Sequence, residues 1–353
     1  MKIQSPVIPP GSIVVVLGAN GYIAQETCHK LLEAGYRVRG TVRDIVRNAW
    51  VCDLFETKFS GMFELVQVVD FGAEGAFDEA FKGASGVIYV SVPVVFSPDP
   101  AIAVTPIMNT VLNALSATAK AGITRFVLNS SSKAVETTVY NTPHTIKSDT
   151  FNPAEIARAL NEPTVSTPER ALTVYSAGRT SAELAFWDWV GENKEKYPDF
   201  VANCVVPDGN FGRVLEPGRT GTGPATSVGM LQRALRGVKE GVMPFVGYLI
   251  DTQDTARLLV AALVLPDISN ERIFAFYKHY TWNELRQRVR ELYPDRDDLV
   301  LGDDYDDFGR DMGDADELIS RAEEILRQTG QDGFSSVDDL LKDYIESFYL
   351  KTL

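Results

Sequence analysis

Apolar and polar positions along the first 210 residues fall into two alternating rhythms. Ile13, Val14, Val15, Val16 and Leu17 form an unbroken, largely β-branched run with no polar alternation, which predicts a parallel strand covered on both faces. Helical spacing follows through ETCHKLLEAGY, with Leu31, Leu32 and Ala34 near its end and Gly35 as the stop, so a helix is predicted over residues 22–35. Strands are then predicted over 36–42, 63–69, 86–95, 124–128 and 200–206, separated by helices over 73–81, 103–121 and 173–194. Strands alternating with helices at this rhythm imply an α/β protein with a doubly wound parallel sheet.

Elsewhere the rhythm breaks. Residues 136–170 are rich in Thr, Asn and Pro and read as an irregular excursion over the sheet edge, and residues 212–245 are glycine-rich with one short helix, GMLQRAL, as in a lid. A helix over 250–264 returns to the sheet layer, and the remainder is mostly helical over 282–292, 316–329 and 336–348. The division expected is a sheet domain over 1–207, completed by 248–278, with 208–247 and 279–353 forming a smaller, mostly helical C-terminal substrate domain.

The first strand runs directly into Gly18, Gly21 and Ala24, a G-x-x-G-x-x-A spacing at a strand-to-helix turn. That spacing suits a dinucleotide: the first glycine permits the sharp turn, the second lets backbone approach a pyrophosphate, and the small third residue lets helix pack on strand. Gly18, Asn20, Gly21, Tyr22 and Ile23 are therefore candidate phosphate contacts, with the free N–H groups and positive end of the helix beneath the anion. At the end of the second strand, where an NAD site places an acid for the ribose 2′-OH, the chain has Gly40, Thr41, Val42 and Arg43. Arg43 and Arg47, four residues apart, fit a 2′-phosphate instead, so NADPH/NADP+ is favoured over NADH, and Asp44 stands one residue late for the ribose role. Asp70, ending the third strand, is placed for the adenine edge or as a cap of the next turn.

Composition narrows the partners. A formal net charge of −14 disfavours a nucleic-acid or anionic-membrane surface, and 45% hydrophobic content supports a sizeable core. Cys28, Cys52 and Cys204 are scattered and odd in number, which argues against a disulfide framework and against a thiolate metal site. His29, His144 and His279 show no metal-ligand spacing, so no metal is expected. The Asp-rich stretch 303–309 fails the calcium-loop pattern and reads as a solvated acidic loop. The N-terminus lacks an apolar signal core, and no stretch reads as approaching the ~20 residues needed to cross a bilayer. The expectation is a soluble cytoplasmic protein, monomer or homodimer, with a small-molecule partner.

Two stretches carry candidate chemistry. RFVLNSSS, residues 125–132, places hydroxyls at the carboxyl end of a central strand, and VYSAGR, residues 174–179, is read as the start of a helix with Tyr175 and Arg179 one turn apart. Hydride transfer to a carbonyl carbon leaves an oxyanion that needs a hydrogen-bond donor and a proton. A serine supplies the first and a tyrosine the second, provided a nearby cation lowers the tyrosine pKa from its usual value near 10.

With these residues in place the chain resembles the extended short-chain dehydrogenase/reductases, in the NADPH-dependent aldehyde and ketone reductase branch related to dihydroflavonol reductases. The resemblance runs from PPGSIVVVLGANGYIA through GYRVRGTVRD, GVIYVSVPVVFS, LNAL, RFVLNSSS, VYSAGRTSAELAFW and VVPDGNFG to SSVDDLLKDYIES. It implies a Rossmann fold, a catalytic serine at Ser131 and tyrosine at Tyr175, phosphate-loop glycines at Gly18 and Gly21, and 2′-phosphate residues at Arg43 and Arg47. It also implies an adenine-side acid at Asp70 and a turn past the nicotinamide beginning at Pro207. Two positions depart from the pattern. Leu17 replaces the usual Thr before the loop, and Arg179 replaces the lysine that binds the nicotinamide ribose, lowers the tyrosine pKa and passes protons to water. Arginine keeps the charge but is bulkier, planar and holds its proton. The expected activity is reduction of an aldehyde or ketone to an alcohol, on an apolar or aromatic substrate if Phe96, Phe211 and Met243 shape the pocket. The alternatives are a non-redox isomerase, dehydratase or cyclase on the same site, and a dinucleotide-binding regulator without turnover.

Overall fold

The valine run at the start of the chain is fully buried because it becomes the centre of the sheet. The computed structural model describes residues 1–91, 96–220, 223, 226–239, 247–307 and 309–352. The first half contains β1 (Ile13–Leu17), α1 (Tyr22–Glu33), β2 (Arg37–Val42), α2 (Trp50–Glu56), β3 (Phe63–Gln67), α3 (Asp78–Phe81), β4 (Ala84–Tyr89), α4 (Pro100–Lys120) and β5 (Arg125–Asn129). There follow β6 (His144–Thr145), α5 (Pro153–Asn161), α6 (Pro168–Asn193), β7 (Val201–Pro207), β8 (Gly209–Phe211), α7 (Ser227–Leu235), β9 (Tyr248–Asp251) and α8 (Thr252–Val264). The chain ends with β10 (Arg272–Ala275), β11 (Lys278–His279), α9 (Trp282–Leu292), β12 (Gly313–Asp314), α10 (Asp316–Gln328) and α11 (Val337–Tyr344).

Seven strands pair in the order β10-β7-β5-β4-β1-β2-β3, every pair parallel. The order reverses at β1, and in such sheets ligands bind outside the carboxyl ends of the strands on either side of that point. Two apolar layers cover the sheet. One contains Leu31 of α1, Leu259 of α8 and Ile325 of α10; the other contains Ile107 of α4 and Phe186 of α6. A third cluster, including Phe211, Leu231, Leu285 and Tyr344, lies around α7, α9 and α11.

Several expectations are corrected. The predicted helix over 73–81 is helical only at Asp78–Phe81, with turns before it. The fourth strand ends at Tyr89; Val92 to Val95, and Met243 in the lid, lie outside the described residues. The segment 136–170 is not wholly irregular: it holds β6 and the nine-residue α5. Helix α6 starts at Pro168, where the Thr167 hydroxyl accepts from Arg170 N at 3.2 Å, so Tyr175 sits two turns inside the helix rather than at its start. Residues 248–251 form a strand before α8, and β10, a strand of the main sheet, lies in the part read as mostly helical.

Helix α4 is long and apolar enough, by length and composition, to cross a membrane, which corrects the reading that no stretch is. In the fold it is a layer helix, with Ala103, Ile107, Val111, Ala114 and Leu115 buried against sheet and α6.

Candidate active site

A cleft of about 950 Å³ opens over the carboxyl ends of β1, β4 and β5. Its floor is the glycine loop. Gly18 has φ +82, and a Cβ there would stand 2.2 Å from Ser91 Cβ; a Cβ on Gly21 would stand 2.7 Å from Ser91 Oγ. Both positions thus require the missing side chain. The loop is held from below, since Gly18 N donates to Thr41 Oγ1 at 3.0 Å and Ser91 Oγ donates to Gly18 O at 2.9 Å. Helix α1 starts at Tyr22 after Gly21, which offers no side-chain cap, so the first-turn N–H groups from Tyr22 onward receive no side-chain oxygen at the cleft. That is a cradle for an anion, and it fits a dinucleotide pyrophosphate.

Gly18, Asn20, Gly21, Tyr22, Ile23, Arg43, Asp70 and Pro207 all line this cleft. Arg47 does not. It lies exposed in the turn before α2, its backbone N–H bonded to Asp44 Oδ1 at 2.9 Å, while the next residue, Asn48, reaches the lining and accepts from Asn20 Nδ2 at 3.0 Å. Asp70 Oδ1 accepts from Gly72 N at 2.8 Å, the turn-capping alternative, and still lines the cleft.

At the end of β5 the three serines have separate fates. Ser130 Oγ donates to buried Glu183 Oε2 at 2.5 Å, and Ser132 Oγ donates to Asp208 Oδ1 at 2.7 Å. Ser131 Oγ instead accepts, from Lys133 N at 3.2 Å, as the cap of a 3₁₀ turn. A hydroxyl has one proton to give, so among the three Ser131 keeps a donor for the cleft it lines.

Tyr175 and Arg179 lie one turn apart on α6, and both face the cleft. Gly178 fixes that orientation: a Cβ there would come within 3.2 Å of Ile107 Cδ1, so α6 sits tight against α4. The Tyr175 ring stacks on Phe96, centroids 5.0 Å apart at 24°. Arg179 is only 5% exposed and donates from Nη2 to Asn129 O at 2.8 Å; among the described residues no carboxylate lies within ion-pair distance of it. A buried guanidinium without a counter-charge is costly unless something in the cleft completes it. Asn129 Oδ1 is also buried without a partner beside the same cleft.

Two other tyrosines line the walls, Tyr22 and Tyr280, but burial pushes both phenols well above the ordinary range, so neither is suited to giving up a proton. Sequence reading missed Ser91, Asn129 and Asp208. Ser91 braces the glycine loop, Asn129 anchors Arg179 through its carbonyl, and Asp208 joins Ser132 to Tyr248 N, which it accepts at 2.8 Å. Asn129 and Asp208 stand inside motifs already singled out, but nothing in the string shows which of their atoms bond. Phe96 and Phe211 line the cleft as expected, joined by Met230, Tyr280 and Trp282.

The chain has counterparts among known proteins. A family profile described as NAD(P)H-binding matches residues 18–167. An aldehyde reductase of Sporidiobolus salmonicolor is 33% identical over 350 residues, covering 98% of this chain and 98% of that one. A ketoreductase of Aspergillus novofumigatus is 34% identical over 344 residues, covering 95% of this chain and 96% of its own length. Among solved structures, Gre2 from Candida albicans in its NADPH complex superposes with a TM-score of 0.78 at 21% identity, covering 96% of this chain and 99% of that one. The glycine cradle, the parallel sheet order and full-length similarity to these reductases lead to one assignment: the chain belongs to the extended short-chain dehydrogenase/reductase family.

Proposed function

We propose that the protein reduces an aldehyde or ketone to an alcohol with NADPH, using Ser131, Tyr175 and Arg179. The observation that carries this reading is that these three side chains line the same cleft as the glycine cradle. The relatives named aldehyde reductase and ketoreductase, similar over nearly the whole chain, support the same chemistry. Gly18, Asn20, Gly21, Tyr22 and Ile23 would hold the pyrophosphate, Arg43 the 2′-phosphate and Asp70 the adenine side, with Pro207 passing the nicotinamide. Described residues of segments 208–247 and 279–353, among them Phe211, Met230, Tyr280 and Trp282, would form the substrate side of the cleft. Phe96, Met230, Tyr280 and Trp282 make that side apolar and aromatic, which favours a substrate of the same character.

The reduced nicotinamide, when bound, supplies hydride to the carbonyl carbon. The protein supplies the rest. Ser131 donates its uncommitted proton as a hydrogen bond to the carbonyl oxygen and fixes where negative charge develops. The Tyr175 phenol transfers its proton to that oxygen, completing the alcohol, and the resulting phenolate is stabilised by the Arg179 charge one turn away. Arg179 also offers donors for the ribose hydroxyls. Because a guanidinium does not release its proton, the phenolate is reprotonated by water rather than through this residue.

The test is loss of reduced-nicotinamide absorbance when the purified protein is mixed with NADPH and a panel of aldehydes and ketones. Tyr175→Phe should lower kcat by about 10² or more with NADPH affinity retained. Arg179→Met should lower kcat and weaken cofactor binding, while Arg179→Lys should stay within about ten-fold of the native rate. Tight NADPH binding with no oxidation of the cofactor by any carbonyl would overturn the reading in favour of non-redox chemistry.

A further inference from the structure

Away from the cofactor cleft, the fold brings Asp311 to two donors that lie eight residues apart in a distant part of the sequence. Glu136 follows the serine turn, His144 lies in β6, and Asp311 precedes β12; their ligand atoms all lie within 4.8 Å of one another. The short parallel pair β6–β12, with Gly313 opposite His144, is what carries Asp311 to the other two. His144 Nε2 stands 2.6 Å from Glu136 Oε2.

The other nitrogen decides what that contact means. His144 Nδ1 lies 2.9 Å from the Thr142 carbonyl oxygen, which can only accept, so Nδ1 carries the ring proton. In the neutral ring Nε2 then presents a lone pair to a carboxylate oxygen that also has only lone pairs. Either a second ring proton or a metal ion must lie between the two atoms, and a histidine whose far nitrogen donates to a backbone carbonyl is the usual arrangement for a metal ligand. Asp311 is oriented from outside in the same way: it is 6% exposed, Oδ1 accepts from Gly313 N at 2.8 Å and Oδ2 accepts from Thr138 Oγ1 at 3.2 Å. A fourth donor approaches from β11. His279 Nε2 is shielded from solvent, has no hydrogen-bond partner, and lies 3.9 Å from Asp311 Oδ1.

We propose that Glu136, His144 and Asp311, with His279 as fourth donor, form a binding site for a divalent transition-metal ion of the zinc class. Two carboxylates and neutral imidazoles carry a net charge of about −2 and the nitrogen–oxygen donor set such ions select. A tetrahedral ion about 2.1 Å from each donor holds donors roughly 3.4 Å apart, between the closest and widest spacings of this cluster. The sequence carries no sign of it, because the ligands come from three segments and the histidines share no motif. Bound metal would clip the segment that follows Ser131 and Ser132 to β11 and to the strand after Asp311. The site is independent of the proposed reductase chemistry.

The test uses the full-length protein stripped with chelator and titrated calorimetrically with zinc chloride, with cobalt(II) as a spectroscopic probe. One zinc per chain should bind, cobalt should give the visible bands of a tetrahedral nitrogen–oxygen site, and zinc at 100-fold excess over Kd should raise Tm by about 3–5 °C. His144→Gln and His279→Gln should each weaken binding about ten-fold or more, whereas Asp306→Asn/Asp307→Asn in the acidic loop should leave it unchanged. Absence of stoichiometric binding to the native protein would leave a shared proton as the cation at His144 and overturn the proposal. So would binding that survives His144→Gln, or that is lost in the acidic-loop variant.

Discussion

At the scale of single residues, charge placement decides both cofactor preference and acid sensitivity. Arg43 lines the cleft and Arg47 does not, so the proposed 2′-phosphate grip rests on Arg43. Arg43→Ala should raise the Kd for NADPH about ten-fold or more while moving that for NADH little, measured by fluorescence titration of both; equal losses would remove the phosphate role. His29 governs a different property. Its ring is buried between Phe59, Lys58 and Glu33, with Lys58 Nζ 3.4 Å from Nε2, a contact that requires Nε2 to accept. Burial, the largest cause, lowers its pKa from 6.5 to about 4. The folded state therefore keeps His29 neutral where the unfolded chain takes up a proton. Its contribution is complete above pH 6.5 and is lost as pH falls toward 4, about 2 kcal/mol of it by pH 5. Urea unfolding at pH 7 and pH 5 should show that loss in the native protein and a flatter response in His29→Gln.

At the scale of elements, what was legible and what was not follow from the same physics. The apolar stretches of β1, β5 and β7 are read correctly because a strand buried on both faces shows little of the polar alternation of a half-exposed one. The glycine loop is legible because positive φ and close approach at Gly18 exclude other residues. Errors gather at helix starts. Helices α4, α5 and α6 each begin with proline in the first turn, after Asp99, Asn152 and Thr167, yet the sequence reading starts α4 three residues late at Ala103 and places Pro153 and Pro168 in the irregular stretch 136–170. Proline breaks a helix interior but suits the first position, where its missing N–H has no partner to lose. The consequence reaches the site: starting α6 at Pro168 seats Tyr175 on a braced length of helix packed against α4, rather than on a fraying end. Strand β10 escaped notice although Ile273, Phe274 and Ala275 are apolar, because four residues are too few to separate strand from helix by period; its first residue, Arg272, pairs with Glu183 at 2.5 Å. The separate duties of the three serines were likewise invisible, since Glu183 and Asp208 reach them from 53 and 76 positions away.

At the scale of the whole molecule, the apolar cluster around α7, α9 and α11 is distinct from the two layers on the sheet, and polar cross-links join it to them. The strongest runs to the cofactor helix. Arg213, just past β8, donates from Nε and Nη2 to Glu26 Oε1 and Oε2 of α1 at 2.7 and 2.8 Å, and the Glu26 side chain is 1% exposed. Nearby, Thr220 Oγ1 donates to Gln25 Oε1, and Gln253 bridges Lys30 to Asp343. A two-pronged pair of this kind gains less from its existence than it loses when half is removed, because the remaining carboxylate stays buried without compensation. Arg213→Met should therefore cost about 3 kcal/mol in chemical denaturation, and Glu26→Gln a comparable amount. The double variant, with neither charge left to bury, should fall well short of the sum, giving a coupling of about 2 kcal/mol. Additivity within about 0.5 kcal/mol would mean that the pair does not fasten the C-terminal cluster to α1, and that the width of the cleft between them is set by apolar contacts alone.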